Sequence, residues 1–281
     1  MTLGEMLSTA MARLSTALDC APHEARIDVR ALATHVFERP AAWLIAHDHD
    51  IPGAAGLARF QALLERRARG EPVAYLVGGR EFFGRRFAVG PGVLIPRPET
   101  ELLVETALEH LPPGKPLRVL DLGTGSGCIA LTLALERPAA RVVAVDRSAE
   151  ALAMARHNAG QWGAAVDFLE SDWFSALPGE RFDLIVANPP YLAGTDPHLE
   201  RGDLRFEPRS ALASGPEGLD DPRRVIMGAR AHLVTGGALW IEHGYTQACA
   251  VTGLFEQAGF VRIGTRRDLA GIERITGGHT L

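Results

Sequence analysis

Leu117-Arg118-Val119-Leu120-Asp121-Leu122-Gly123-Thr124-Gly125-Ser126-Gly127 reads as a buried strand running into a tight turn, with a helix starting near Cys128. Glycines let the chain bend there and let a ligand come up against the backbone, at the carboxyl edge of an α/β sheet. About 20 residues further on, a second apolar run, Arg141–Asp146, ends in a carboxylate. A carboxylate in that place can accept hydrogen bonds from both hydroxyls of a ribose. These residues leave the ligand open. Gly125-Ser126-Gly127-Cys128-Ile129-Ala130 also fits the G-x-G-x-x-A form of the dinucleotide fingerprint, so a nicotinamide enzyme and a purely structural turn both remain compatible.

Outward from this unit, strand runs alternate with helical patterns. Val166–Leu169, Phe182–Ala187 and Ala238–Glu242 read as further strands, a helix is expected near Thr246–Ala258, and Phe260–Thr265 and Ile272–Thr276 read as two last strands. Alternating β and α predicts a mostly parallel sheet with helices on both faces, and the short turn between the last two strands predicts an antiparallel pair. Toward the N-terminus the texture differs. Leu3, Met6, Leu7, Met11, Leu14 and Leu18 recur at helical spacing, and further apolar clusters around Val36, Leu44 and Phe60 predict a small helical bundle. Glycines at 78, 79, 84, 90 and 92 then punctuate short apolar runs, a hairpin texture, before Pro98 opens a helix with Glu99 and Glu101 in its first turn.

Composition narrows the function classes. The net charge of −5 supplies no general field for a nucleic-acid backbone, and basic residues are scattered arginines with Lys115 as the one lysine. Cys20, Cys128 and Cys249 make neither a zinc pattern nor a disulfide framework, which suits a reducing cytoplasm. No signal-like or membrane-spanning apolar run is present. The expectation is a cytoplasmic monomer that engages neither membrane nor nucleic acid directly.

Asn188-Pro189-Pro190-Tyr191 follows the Phe182–Ala187 strand at its carboxyl end, where open α/β sheets place their chemistry. An NH₂ group conjugated to a carbonyl or a ring attacks poorly because its lone pair is delocalised. Oxygens that accept both of its hydrogens can hold it, and the Asn188 side chain and the Pro189 carbonyl are suitable acceptors. Two successive prolines keep that carbonyl from turning, and Tyr191 can lie against the planar group. A sulfonium methyl donor then needs in-line placement, an orientation effect of up to roughly 7–11 kcal/mol. No base is demanded, since the nitrogen becomes acidic as it is methylated. A dehydrogenase has no use for this tetrapeptide.

Other residues carry blander readings. His47-Asp48-His49-Asp50 is expected to be a solvated loop rather than a metal site, His243 a packed or hydrogen-bonded histidine rather than a base, and Cys128 a small core residue. Arg205 and Arg209 read equally well as partner contacts or as solvated surface.

With these stretches in view, the chain resembles the protein-(glutamine amide) methyltransferases that modify peptide-chain release factors, the HemK/PrmC family. The resemblance spans nearly the whole chain. It is carried by Gly79–Phe87, by Val93-Leu94-Ile95-Pro96-Arg97-Pro98-Glu99-Thr100-Glu101, by Asp121–Gly127, and by Ser171-Asp172-Trp173-Phe174. Further on it rests on Asn188–Tyr191, Arg205-Phe206-Glu207-Pro208, Glu242-His243-Gly244 and Asp268-Leu269-Ala270-Gly271. It implies a class I S-adenosylmethionine-dependent methyltransferase fold, Rossmann-like with a mostly parallel seven-stranded sheet. The implied division is a helical bundle over 1–72 that helps bind the release factor, a β-hairpin linker over 73–97 and the methyltransferase domain over 98–281. It implies that Gly123, Thr124, Gly125, Ser126 and Gly127 line S-adenosylmethionine, or its product S-adenosylhomocysteine, with no metal. Asp146 would bind the ribose, Trp173 would lie beside the adenine, and Asn188 would touch both cofactor and substrate. Residues Asn188, Pro189, Pro190 and Tyr191 would grip a glutamine in a Gly-Gly-Gln loop of the release factor, with Asn188 and Pro189 as the catalytic pair. The tetrapeptide also occurs in adenine and guanine methyltransferases, so a nucleic-acid substrate is the competing enzyme class. A non-enzymatic binding module is the third reading, and intact Asp146 and Asn188 count against it.

Overall fold

A computed structural model describes residues 1–281, which divide into two compact units, Met1–Gly79 and Arg80–Leu281. The first unit is helical: α1 (Leu3–Leu18), α2 (Pro22–Phe37), α3 (Ala41–Ala46), α4 (Ala54–Ala68) and α5 (Val73–Leu76). Thr2 starts α1 through a capping box, its hydroxyl accepting from Glu5 N at 3.2 Å while Glu5 Oε2 accepts from Thr2 N at 2.8 Å. Pro22 opens α2, where a missing N–H costs nothing. The apolar stripes of α1, α2 and α4 meet in one core containing Leu3, Leu14, Leu32 and Phe60.

The second unit opens with a hairpin, β1 (Arg80–Phe82) and β2 (Arg85–Phe87), turned by Phe83 and Gly84 at φ 51° and 69°. Both turn residues in the left-handed region match the twist of the flanking strands. The stretch over 73–97 is thus not uniform: α5 belongs to the helical unit, and the hairpin is confined to 80–87. A single 3-10 turn, Pro98–Thr100, leads into α6 (Glu101–His110). The α-helices and strands that follow are β3 (Arg118–Leu122), α7 (Cys128–Glu136), β4 (Arg141–Asp146), α8 (Ala149–Trp162), β5 (Val166–Glu170), β6 (Phe182–Ala187), α9 (Arg209–Leu212), α10 (Asp220–Ala229), β7 (Leu233–Glu242), α11 (Ala248–Gln257), β8 (Val261–Arg267) and β9 (Glu273–His279).

The seven strands run in the order β5-β4-β3-β6-β7-β9-β8. β5, β4, β3, β6 and β7 are mutually parallel, and β9 is antiparallel to both of its neighbours. Apolar side chains cover both faces of the sheet. Leu103, Ala107, Ile129 and Leu133 belong to one cluster, and Val225, Ile226, Val251 and Phe255 belong to another. The chain builds outward from β3 to β5 and then returns to place β6 on the other flank of β3. That reversal is the topological switch point at which such sheets open a crevice beyond their carboxyl ends.

Candidate active site

The pairing of Leu122 with Ala187 puts the last residues of β3 and β6 side by side, so the glycine turn and the Asn-Pro-Pro-Tyr segment leave the sheet as neighbours. Next to them, Leu122 pairs with Val145, which sets Asp146 at the same edge. A cavity of about 290 Å³ lies beyond these three strand ends. Gly123, Gly125, Asp146, Trp173, Asn188 and Pro190 are among its lining residues.

At the glycine end the backbone does the holding. Gly123 stands at φ 72°, where an added methyl would strain the backbone, and a Cβ there would only reach ordinary contact with the Trp173 ring at 3.4 Å. Asp146 is oriented by two backbone amides: Gly125 N donates to Oδ2 at 3.0 Å and Ser148 N to Oδ1 at 2.9 Å. Each oxygen keeps acceptor capacity for a further donor. Trp173 adopts φ 53°, rare for a bulky side chain, and its indole N–H donates to Asp221 Oδ1 at 3.2 Å. Underneath, fully buried Asp121 accepts the Thr124 hydroxyl at 2.7 Å and the Ala130 amide at 3.3 Å on Oδ2, while Oδ1 has no partner. Burial pushes its carboxyl up to about 7. Thr124 and Ser126 are buried behind the turn, and Gly127 packs against Leu131 and Ala155. These three positions shape the turn without lining the cavity.

At the other end side chains do the holding. Asn188 Nδ2 donates to Thr100 Oγ1 at 3.2 Å, and that hydroxyl donates to Glu242 Oε2 at 2.7 Å. The Tyr191 hydroxyl donates to Glu242 Oε1 at 3.2 Å, and the Tyr191 carbonyl accepts from Gln247 Nε2 at 2.9 Å. Gln247 Oε1 accepts the Gly244 amide at 2.8 Å. Desolvation pushes Glu242 up to about 7 and raises the Tyr191 phenol above its ordinary value. Pro189 is buried, and neither it nor Tyr191 lines the cavity. One wall is tied down by buried Glu207, which accepts the Ile95 amide at 2.9 Å and pairs with Arg97. The segments Pro91–Leu94 and Pro208–Ala211 are thereby held around the opening.

The remaining histidines, cysteine and arginines of note occupy ordinary places. His243 is fully buried with Nδ1 facing the Gly244 carbonyl and Nε2 the Thr276 hydroxyl, both at 2.9 Å, and burial lowers its pKa. Cys128 is buried and its thiol is pushed up to about 12 by desolvation, so it has no nucleophilic character at neutral pH. His47 stacks on Trp43 with ring centroids 4.0 Å apart, and His49 is almost fully exposed. Arg205 lies over the Phe206 ring, and Arg209 donates to the Gly194 carbonyl and pairs with Glu200. Thr100, Glu242 and Gln247 are the site residues that sequence reasoning passed over. Thr100 stood within the quoted Arg97–Glu101 stretch, and Glu242 stood beside the histidine that drew attention instead.

The donor set fits a nucleoside carrying a positively charged tail. Asp146 offers a fixed carboxylate, Trp173 a flat apolar face, and Asp121 an orphaned oxygen beneath the turn. Comparison with known proteins agrees in kind. Residues 98–203 match the methyltransferase small domain family, and residues 5–78 match the PrmC N-terminal domain. The chain is 55% identical over 255 residues to a release factor glutamine methyltransferase of Bordetella pertussis, covering 90% of this chain and 94% of that protein. It is 45% identical over 252 residues to the protein of that description in Escherichia coli strain K12, covering 89% and 91%. Among solved structures, a 16S rRNA N2 G1207 methyltransferase from T. Thermophilus with AdoMet and guanosine superposes with a TM-score of 0.54 at 24% identity, covering 72% of this chain and 50% of that one. At that identity the likeness speaks to the fold.

Proposed function

The chain belongs to the release factor glutamine methyltransferases, and from that premise we propose that its cavity holds S-adenosylmethionine at the glycine end and a glutamine side chain of a peptide chain release factor at the Asn188 end. The glutamine is the one in the release factor's Gly-Gly-Gln motif, and its modification supports translation termination. The observation that carries this reading is that Gly123, Gly125, Asp146 and Asn188 line one continuous cavity, so donor and acceptor share a chamber.

S-adenosylmethionine supplies the methyl group as a sulfonium electrophile. What the protein adds is orientation. Asp146, already fixed by two amides, takes the ribose hydroxyls; the Trp173 face takes the adenine; the turn at 123–127 lets the ligand reach the backbone. Asn188 accepts one hydrogen of the glutamine NH₂ from the cavity wall, and the Pro189 carbonyl, on the peptide that joins it to the lining residue Pro190, accepts the other, which turns the nitrogen lone pair toward the donor. The N–C bond forms as the C–S bond breaks, and the spare proton leaves the methylated nitrogen for water. Proximity and alignment supply most of the acceleration, since the acceptor amide gains nothing from a base before it attacks.

The test is transfer of labelled methyl from S-adenosylmethionine to a release factor. Transfer is expected to the intact factor and not to one whose Gly-Gly-Gln glutamine is alanine, and Asn188→Ala should lower turnover by at least about 100-fold. Equal labelling of the alanine factor would overturn the substrate assignment. Labelling of tRNA or DNA in its place would move the substrate to the nucleic-acid class.

A further inference from the structure

Glu242 ends β7 at the same sheet edge as Asn188 and is 1% exposed. Thr100, 2% exposed, lies between them, bonded to both. Thr100 has one hydroxyl hydrogen, and an ionised carboxylate can only accept. That hydrogen is therefore committed to Glu242, and the Thr100 oxygen is left as an acceptor. Only the nitrogen of the Asn188 carboxamide can donate to it. Once that nitrogen is engaged by Thr100, the carboxamide oxygen points away from Thr100.

We propose that Glu242 and Thr100 are positioning residues which fix the rotamer of the Asn188 carboxamide, so that its oxygen and not its nitrogen meets the substrate NH₂. The inference rests on the reading of Asn188 as the amide acceptor. Tyr191, bonded to the second oxygen of Glu242, ties the same carboxylate to the tetrapeptide from the other side. A flipped carboxamide would set donors against donors, so the relay discriminates an attractive contact from a repulsive one.

The relay has a polarity that a proton can reverse. Burial pushes Glu242 up to about 7, Glu99 pushes the same way, and Thr100, Tyr191 and Arg274 pull it back; Cys128 on α7 also feels its charge. A protonated Glu242 has a hydrogen of its own to give to Thr100, which frees the Thr100 hydrogen for the Asn188 oxygen. The methyl-transfer rate should therefore fall as the pH drops through the range in which Glu242 protonates.

The experiment is single-turnover transfer to a release factor at saturating S-adenosylmethionine, followed from about pH 5.5 to about 8.5. Wild type should lose about tenfold or more across the acid side. Thr100→Val keeps the shape without the hydroxyl; at the alkaline end it should be about 30-fold slower, with no acid limb and with S-adenosylhomocysteine affinity within about threefold of wild type. Glu242→Gln should be slow and flat in pH, and Thr100→Ser should regain both rate and limb. Affinity for S-adenosylhomocysteine and a melting curve report folding, and if Thr100→Val does not fold, Glu242→Gln and Thr100→Ser decide the matter. A Thr100→Val rate within about threefold of wild type, or an acid limb that survives in Glu242→Gln, would overturn the relay. Full activity in Asn188→Ala would instead overturn the reading beneath it, whereas an inactive Asn188→Ala beside a fully active Thr100→Val sinks the relay alone.

Discussion

The helical unit and the sheet unit bury different kinds of side chain. Between Met1 and Gly79 the buried side chains are apolar, whereas every buried polar or charged one, from Thr100 to Thr280, lies in Arg80–Leu281. Many of the latter gather at or behind the carboxyl edge: Asp121, Thr124, Ser126, Ser171, Glu207, Ser214, Glu242 and His243. Burying a polar group without a partner costs about 1–3 kcal/mol, so such groups are tolerated where a network satisfies them or a function needs them. The helical unit draws its stability from apolar packing and contributes no residue to the lining of the cavity. In the sheet unit, stability and site share atoms.

Three substitutions test that contrast. The largest effect is expected from Asn158→Leu. Asn158 is fully buried; its Nδ2 donates to the Ala88 and Ser126 carbonyls at 3.0 and 2.8 Å, and its Oδ1 accepts the Ala88 amide at 2.8 Å. Three backbone groups would be left unpaired, so denaturant unfolding should show a loss of about 3–5 kcal/mol, and S-adenosylhomocysteine should bind more weakly because Ser126 belongs to the turn. A loss under about 1 kcal/mol would erase the contrast. Next comes Leu14→Ala in the helical core, at 0% exposure. It should cost about 3 kcal/mol through its cavity and leave cofactor affinity alone; weaker cofactor binding would show that the two kinds of core are not separable. The smallest is a gain. Burial holds the Asp121 pKa at about 7, above its unfolded value, so its stabilising contribution is complete in acid and is lost as the pH rises through about 7. Asp121→Asn removes that titration while keeping an acceptor for Thr124. It should match wild type near pH 4 and exceed it by about 1–2 kcal/mol near pH 8 in the absence of cofactor. A difference independent of pH would mean that Asp121 is not the strained group.

Much of the sheet was legible because buried parallel strands are written as unbroken apolar runs. β3 with its glycine turn, β4 ending at Asp146 and β6 ending at Asn188 all declare themselves that way. The strands whose bounds run further than their apolar runs contain glycine pairs. Gly236-Gly237 reads as a turn, yet β7 already starts at Leu233, with a register irregularity between Phe182 and Leu184 on its partner. Gly277-Gly278 reads as the end of a strand, but β9 runs through it to His279, and a Cβ on Gly277 would lie 2.2 Å from the Trp240 ring, so the glycine is there to admit the indole. α10 escaped notice because Asp220, Asp221 and Pro222 look like a loop, although they suit a helix's first turn. In the site, Asp146 and the tetrapeptide advertise themselves locally. Thr100 and Glu242 do not, since the bonds of Thr100 to Asn188 and to Glu242 span 88 and 142 residues and exist only after the sheet is assembled. Nor does any local pattern foretell a tryptophan at φ 53°.

β9 follows β8 in the chain, yet it is threaded between β7 and β8 instead of being added at the rim. On a ribosome that order has a price in time. Until residues 273–279 emerge, β7 has an unpaired flank and β8 has no partner at all, so the sheet waits half-zipped while the N-terminal helices, whose contacts are local, are free to fold. A nascent chain stalled before that strand would expose the Leu239–Ile241 edge to any other strand nearby, an edge that β9 covers once it pairs.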